Sequence, residues 1–223
     1  MISEVKNCDC IEFMKGIPDN FFHIAIADPP YGLAKKSTQG AGVLKNRTLN
    51  RHDMKWDVKP SQHFFDELCR VSRNQIIWGG NYFNLGPCRC FVCWDKQQVW
   101  PNFSQCEMAW TSFDKPAKLF TCSNRGGNID SIDWHPTVKP VELYAYCLKT
   151  FAHPGDRIFD PMMGSQSSRI AAFRLDCEYW GCEIDHDFFE KGCERFNHEC
   201  LGIFKCSNGK TYQQTSLFDQ FST

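Results

Sequence analysis

The chain has 223 residues, of which 42% are hydrophobic and 14% are aromatic, so it can bury one substantial core but is short for two full domains. It contains no apolar run of about eighteen residues, and its first residues lack the basic then apolar order of a secretory signal, so we expect a cytoplasmic protein that does not cross a membrane. The net charge of −1 excludes a uniformly basic surface, and any attraction to nucleic acid must be local.

Apolar runs of strand length are separated by amphipathic runs of helix length, which is the pattern of an α/β protein. In chain order, the predicted strands are VKNC, HIAIA, NQIIW, RCFVCW, CEMAW, DRIFD and EYWGCE. Apolar residues three and four apart predict helices over residues 61–72, 139–152, 166–175 and 186–199. Residues 207–223 are polar apart from a short apolar segment, so we predict a flexible tail.

The fourteen cysteines are scattered through apolar stretches, and a reducing compartment disfavours a disulfide framework. We therefore interpret most of them as small core residues. One cluster, Cys88, Cys90 and Cys93, lies on a predicted strand, where alternate side chains face opposite ways. That spacing is poor for metal ligands, so we expect no metal site and keep zinc as the alternative.

The predicted strand HIAIA runs directly into DPPYG at residues 28–32. Pro29 and Pro30 cannot donate backbone hydrogen bonds and restrict φ, so the strand must end there in a stiff turn. Such a turn presents Asp28 and Tyr31 to a cleft rather than packing them in the core. We therefore predict that this turn carries the chemistry.

The segment that follows is basic, since residues 35–59 hold seven lysines and arginines against two aspartates. It shows no convincing periodicity and predicts a long loop, covering residues 33–59, beside the site. A basic loop at a polar cleft suggests a phosphate backbone as partner, with Lys45, Arg47 and Arg51 as candidate contacts. The alternative is an ordinary solvated surface loop.

A second motif is RIFDPMMGSQSSRIAA at residues 157–172, in which a strand ends in Asp160 and small residues lead into a helix. This arrangement lets backbone amides and a helix N-terminus approach a ligand closely. Glu183 ends the next predicted strand, where an acidic side chain commonly accepts hydrogen bonds from ribose hydroxyls. The alternative is an ordinary strand, turn and helix without a ligand.

The chain contains four motifs in the order DPPY, HPTVKP (135–140), DPMMGS (160–165) and GCEID (181–185). Together they resemble the β class of amino-methylating DNA methyltransferases. The segments WGGNYF, CWDK and NFSQCEMAWTSF are similar to the small adenine methyltransferases of bacteriophages and prophages. The resemblance implies a Rossmann-like, seven-stranded α/β methyltransferase fold that is circularly permuted, with a mixed sheet and helices on both faces.

The resemblance also implies how the chain is organised. A single methyltransferase domain would cover residues 1–206, with the catalytic half at 1–112 preceding the cofactor half at 135–206. Between them, residues 113–134 would be a short target-recognition segment. There Asn124 and Arg125 are candidates for base-edge contacts, and an exposed turn is the alternative.

The implied cofactor is S-adenosylmethionine. Asp9 would lie beside its adenine, Glu183 would hold its ribose, and the loop from Asp160 would lie under its methionine part. The full implied set of cofactor contacts is Asp9, Asp28, Thr137, Lys139, Asp160, Gly164, Ser165 and Glu183. Gln166 departs from the family, which usually has glycine there, so either the turn relaxes or cofactor affinity falls.

The implied reaction is site-specific methylation of the exocyclic amine of adenine in double-stranded DNA. Asp28 and the carbonyl of Pro29 would accept the amine hydrogens, Pro30 would stiffen the turn, and Tyr31 would stack on the flipped base. The order of the motifs disfavours the related enzymes that methylate release factors or RNA. Cytosine amino-methylation and a catalytically impaired nucleic-acid-binding relic remain as alternatives.

The small recognition segment leaves a homodimer as a possible partner arrangement. The tail segment QTSLF resembles the pentapeptide by which bacterial DNA enzymes dock on the sliding clamp, with Gln214, Leu217 and Phe218 as anchors. The alternative is that Leu217 and Phe218 fold back onto the core of the enzyme.

Overall fold

The structure is a computed structural model that describes residues 2–33, 57–98, 104–123, 132, 134–135, 137–205 and 210–213. Within these residues the strands are β1 Ser3–Asn7, β2 Phe22–Ala27, β3 Ser72–Trp78, β4 Phe91–Asp95, β5 Cys106–Thr111, β6 Lys118–Thr121, β7 Arg157–Asp160, β8 Glu178–Glu183, β9 Ile203–Lys205 and β10 Thr211–Gln213. The α-helices are α1 Cys10–Lys15, α2 Gln62–Val71, α3 Val141–Phe151, α4 Ser167–Arg174 and α5 His186–Leu201.

Eight strands form one mixed sheet in the order β1-β8-β7-β2-β3-β5-β4-β6. The first five of these strands run parallel to one another, whereas β5 runs antiparallel to both β3 and β4. Because β2 and β7 are adjacent and run parallel, the DPPYG turn and the DPMMGS loop leave the sheet next to each other. The order of elements thus brings two distant motifs to one edge.

The central strands are buried on both faces, as parallel strands usually are. Ile24 and Ile26 pack into one apolar cluster with residues of α3 and α4, while Ala25 and Ala27 pack into a second with residues of α1 and α2. The predicted α/β class, with a large mixed sheet and helices on both faces, is therefore confirmed.

The main sheet differs from the prediction in having eight strands rather than seven. The added strand is β6, which pairs in parallel with β4 and lies within the segment predicted to read the target. Its four residues are too few for a periodic signal. The helix α1 was not predicted either, because its six residues are also too few for a periodic signal.

The predicted flexible tail is wrong at Thr211–Gln213, which form β10 and pair antiparallel with β9. Residues 214–223, including the predicted clamp anchors, lie outside the described part of the chain. No helix among the described residues is long and apolar enough to cross a membrane.

Candidate active site

A cleft of about 1070 Å³ opens where the parallel strands end. Its walls come from the segments that follow four of these strands, with Asp9 after β1, Asp28 after β2, Gly79 after β3 and Glu183 at the end of β8. The carboxyl ends of parallel strands share one edge of a sheet, so motifs far apart in sequence meet here. The volume suffices for a nucleotide-sized cofactor together with part of a second substrate.

Asp28 and Tyr31 form one unit at the bottom of the DPPYG turn. The Tyr31 hydroxyl donates a hydrogen bond to Oδ1 of Asp28 over 2.7 Å, and its ring stacks on Tyr82 with 5.0 Å between ring centroids. Gly79 allows this pose, because a Cβ at its positive φ would lie 2.2 Å from Cε1 of Tyr31. Burial and the Asp28 carboxylate raise the pKa of Tyr31 well above its ordinary value.

The structure brings Lys139 to Asp28. Its Nζ lies 2.5 Å from Oδ2 of Asp28, 3.2 Å from Oε2 of Glu107 and 3.2 Å from the Tyr31 hydroxyl. Burial alone would lower the pKa of this ammonium, but the two carboxylates outweigh that effect and the pKa is raised. Lys139 therefore brings its charge to the DPPYG turn, whereas the family resemblance implied a contact with the cofactor.

Glu107 on β5 and Lys96 after β4 complete this charged group, and the sequence patterns did not single out either. Lys96 pairs with Oε1 of Glu107. Burial would raise the pKa of Glu107, but Lys139 and Lys96 outweigh it and hold the pKa at about 2. The available signal was an acidic residue inside the otherwise apolar strand CEMAWT.

At the other end of the cleft, Glu183 organises the glycine loop. Its Oε2 accepts a hydrogen bond from the Gly164 amide over 2.8 Å, and its Oε1 accepts one from the Asp185 amide over 2.9 Å. Burial raises the pKa of this carboxyl. Each carboxylate oxygen keeps a further lone pair that a ribose hydroxyl can use. Gly164 is required, because a Cβ there would lie 2.6 Å from Nε2 of His135.

Asp160 lies deeper, at the end of β7, and is 2% exposed. It accepts hydrogen bonds from the Met162 amide and from the Ser168 hydroxyl, over 3.0 and 2.5 Å. Burial outweighs these bonds and raises the pKa of Asp160 to about 7. The carboxyl fixes the turn that places Ser165 in the cleft wall.

Two other predicted cofactor residues lie at the rim. Asp9 is exposed and caps α1, since its Oδ1 accepts hydrogen bonds from the amides of Ile11 and Glu12. Thr137 is exposed and lines the cleft beside His135. Burial and the cations Lys139 and Arg195 lower the pKa of His135 to about 4, so this ring is neutral at pH 7.

Gln166 takes the left-handed backbone conformation that a glycine would take, with φ of 61°. Its side chain is fully buried and turns away from the cleft, where it contacts Gly192, accepts a hydrogen bond from Arg169 and donates to the carbonyl of Phe189. The turn therefore keeps the glycine geometry, and the side chain does not fill the cleft.

The predicted DNA contacts Lys45, Arg47, Arg51, Asn124 and Arg125 lie outside the described residues. Among the residues that the structure does describe, no group of three or more histidine, cysteine or acidic side chains is placed to hold a metal ion. Cys90 is buried in the core beside Val92 and Trp94.

Residues 94–194 match the family model described as DNA methylase, which covers the N6 and N4 methyltransferases. This part of the chain is therefore similar to the DNA methylase domain family. Its resemblance to the amino-methylating DNA methyltransferases is thereby confirmed, and the coarser function that follows is DNA amino-methylation.

Individual relatives agree with this domain assignment. The type II methyltransferase M2.MboI of Moraxella bovis is 25% identical, and the alignment covers 88% of each chain. The solved structure of the M1.HpyAVI complex with S-adenosylmethionine has a TM-score of 0.58 at 15% identity, covering 87% of this chain and 100% of that one. The cytosine-N4-specific PvuII methyltransferase has a TM-score of 0.58 at 13% identity, covering 88% and 86%. These structural likenesses show the methyltransferase fold.

Proposed function

We propose that this DNA methylase transfers a methyl group from S-adenosylmethionine to the exocyclic N6 amine of adenine, at a defined site in double-stranded DNA. The observation that carries the proposal is the Asp28 carboxylate, which opens into the same cleft as the Glu183 and Gly164 loop. A hydrogen-bond acceptor for an amine thus shares one cavity with acceptors and amides suited to a nucleoside.

The cofactor end of the cleft fits S-adenosylmethionine. The Glu183 carboxylate is held rigidly by two backbone amides and has capacity for ribose hydroxyls. Gly164 has a positive φ and a Cβ there would lie 2.6 Å from Nε2 of His135, so the loop stays narrow beside the cavity. When bound, the cofactor supplies an electrophilic methyl, whose bond to sulfur breaks as the bond to the amine nitrogen forms.

The residues of the DPPYG turn then act on the base. An aromatic amine is a poor nucleophile because its lone pair is delocalised, and a base in a duplex must first be flipped out. Asp28 accepts one amine hydrogen and the Pro29 carbonyl accepts the other, which localises the lone pair. After transfer, the methylated amine carries a positive charge and gives its proton to the Asp28 carboxylate.

Adenine is preferred over cytosine because the turn reads DPPY, whereas the cytosine enzymes of this class more often have serine in place of Asp28. The test incubates the purified protein with S-adenosylmethionine and unmethylated DNA and quantifies methylated nucleosides by mass spectrometry. N6-methyladenine supports the proposal, and N4-methylcytosine alone would replace it with the cytosine alternative. Cofactor binding without any methylated nucleoside would favour the catalytically impaired relic.

A further inference from the structure

Four side chains of alternating charge form a row along the floor of the cleft, in the order Asp28, Lys139, Glu107, Lys96. Lys139 contacts both carboxylates, and Lys96 contacts Glu107 from the far side. All four are largely withdrawn from solvent, with side-chain exposures of 18% for Asp28, 6% for Lys139, 22% for Glu107 and 13% for Lys96. The row carries no net charge.

The four residues come from separate segments of the fold. Asp28 follows β2, Glu107 lies on β5, Lys96 follows β4, and Lys139 precedes α3. Burying an ammonium is costly unless opposite charges compensate it at close range. A buried ion pair of this kind is weak evidence for stability but suits a role in fixing orientation. The row therefore ties the catalytic turn to the antiparallel part of the sheet.

Lys139 dominates the charge environment of Asp28. The other ionisable groups that act on this part of the cleft are Tyr31 beside it, Tyr144 from α3, Asp160 from β7 and Glu107 from β5. These groups are neutral or acidic. Within the described residues, Lys139 is the cation in ion-pair contact with Asp28.

Glu107 limits how strongly Lys139 acts. Because the ammonium contacts two carboxylates, its charge is divided between Asp28 and Glu107, and Asp28 keeps acceptor strength for an amine hydrogen. Lys96 in turn holds Glu107 in its charged form.

We propose that Lys139 and Glu107 are positioning residues for amino methylation, which orient the Asp28 carboxylate and set its strength as a hydrogen-bond acceptor. This inference rests on the proposed function. It assigns Lys139 to the chemistry of the base amine rather than to the cofactor, and it gives Glu107 and Lys96 a role in turnover.

The experiment compares Lys139→Met and Glu107→Gln with the parent enzyme in methylation assays at saturating S-adenosylmethionine and unmethylated DNA. We expect kcat to fall about tenfold or more in each variant, as for loss of a group that supports proton transfer. The dissociation constant for S-adenosylmethionine, measured by calorimetry, should stay within about threefold of the parent. Lys15→Met is the matched control, since Lys15 forms an exposed ion pair with Glu12 outside the cleft, and its kcat should not change.

The pH profile of kcat separates positioning from simple structural damage. Lys139→Met removes a positive charge beside the Asp28 carboxylate, so the acid limb of the profile should move to higher pH. Glu107→Gln removes the second carboxylate from Lys139, so the positive charge acts on Asp28 alone and the acid limb should move to lower pH. Shifts in opposite directions are the signature of the shared ammonium, and unmoved or parallel limbs would overturn the proposal.

Other outcomes are equally decisive. If Lys139→Met weakens cofactor binding at least tenfold and turnover recovers at saturation, Lys139 is a cofactor contact and the inference is wrong. Where Lys139→Met yields too little folded protein, the near-isosteric Glu107→Gln carries the test, and a kcat within about twofold of the parent refutes the inference. A parent enzyme that methylates no DNA refutes the proposed function instead.

Discussion

A Cβ atom on Gly192 would lie 2.8 Å from Cγ of Gln166, so the two positions fit each other only because one of them has no side chain. Gln166 occupies the place where the family usually has glycine, and it packs between α4 and α5. Gly192 on α5 leaves the space that this larger residue needs. Cofactor affinity need not fall, because Gln166 points away from the cleft.

Gly192→Ala should destabilise the protein by about 1–3 kcal/mol through overpacking against Gln166. In a Gln166→Ala background, which lacks the Cγ atom, the same substitution should cost less than half as much. Denaturant unfolding of the four proteins measures this coupling. Gly16→Ala is the control, since a Cβ there meets only the Phe13 carbonyl at 3.9 Å. Equal costs of Gly192→Ala in both backgrounds would show that the two positions are independent.

Asp28→Ala should abolish methyl transfer while leaving S-adenosylmethionine affinity within a few fold, because the carboxylate acts on the base amine. Asp19→Ala is the control, as the exposed Asp19 carboxylate pairs with Arg70 outside the cleft. Methylation kinetics and calorimetry give the two quantities. Near-normal turnover in Asp28→Ala contradicts the mechanism, and complete loss of cofactor binding would move Asp28 into the cofactor site.

Asp160 should make the unliganded protein less stable as the pH rises. Its pKa is raised from 3.8 to about 7 in the folded state, so the folded protein binds the extra proton between these values. The stability that this proton provides is fully present below about pH 4 and is lost as the pH rises through about 7. Asp160→Asn has no carboxyl proton to lose, so its stability should not show this dependence on pH.

Denaturant unfolding at pH 5 and pH 8 checks this sign. The free energy of unfolding of the parent should fall relative to that of Asp160→Asn by an amount on the order of a few kcal/mol. A difference between the two proteins that does not change with pH would show that Asp160 is ionised throughout.

The basic loop should contribute to DNA affinity through phosphates. Neutralising Lys45, Arg47 and Arg51 together should weaken DNA binding and reduce the slope of log K against log salt by about three units or less. The control neutralises three exposed cations elsewhere on the chain, Lys15, Arg89 and Lys191. A salt slope equal to the parent's returns the loop to the solvated alternative. S-adenosylmethionine binding should not change in either variant.

The elements with local signals could be predicted from the sequence alone. The apolar runs predicted the seven principal strands and four of the helices, because strand and helix periodicities are written in neighbouring residues. The prolines after β2 and the glycine loop after β7 also marked the two ends of the cleft. Their signals are local because proline restricts φ and glycine permits conformations that other residues avoid.

The contacts between side chains inside the cleft could not be predicted from local patterns, because they depend on the folded arrangement of the sheet. No local pattern predicts that the Lys139 ammonium will lie between Asp28 and Glu107. That contact depends on the antiparallel pairing of β5 with β3 and on the path of the segment before α3. The place of Asp9 as the cap of α1 and the space that Gly192 leaves for Gln166 were decided in the same way. These contacts join residues far apart in the chain, and their energies depend on burial and distance, which exist only once the sheet has formed.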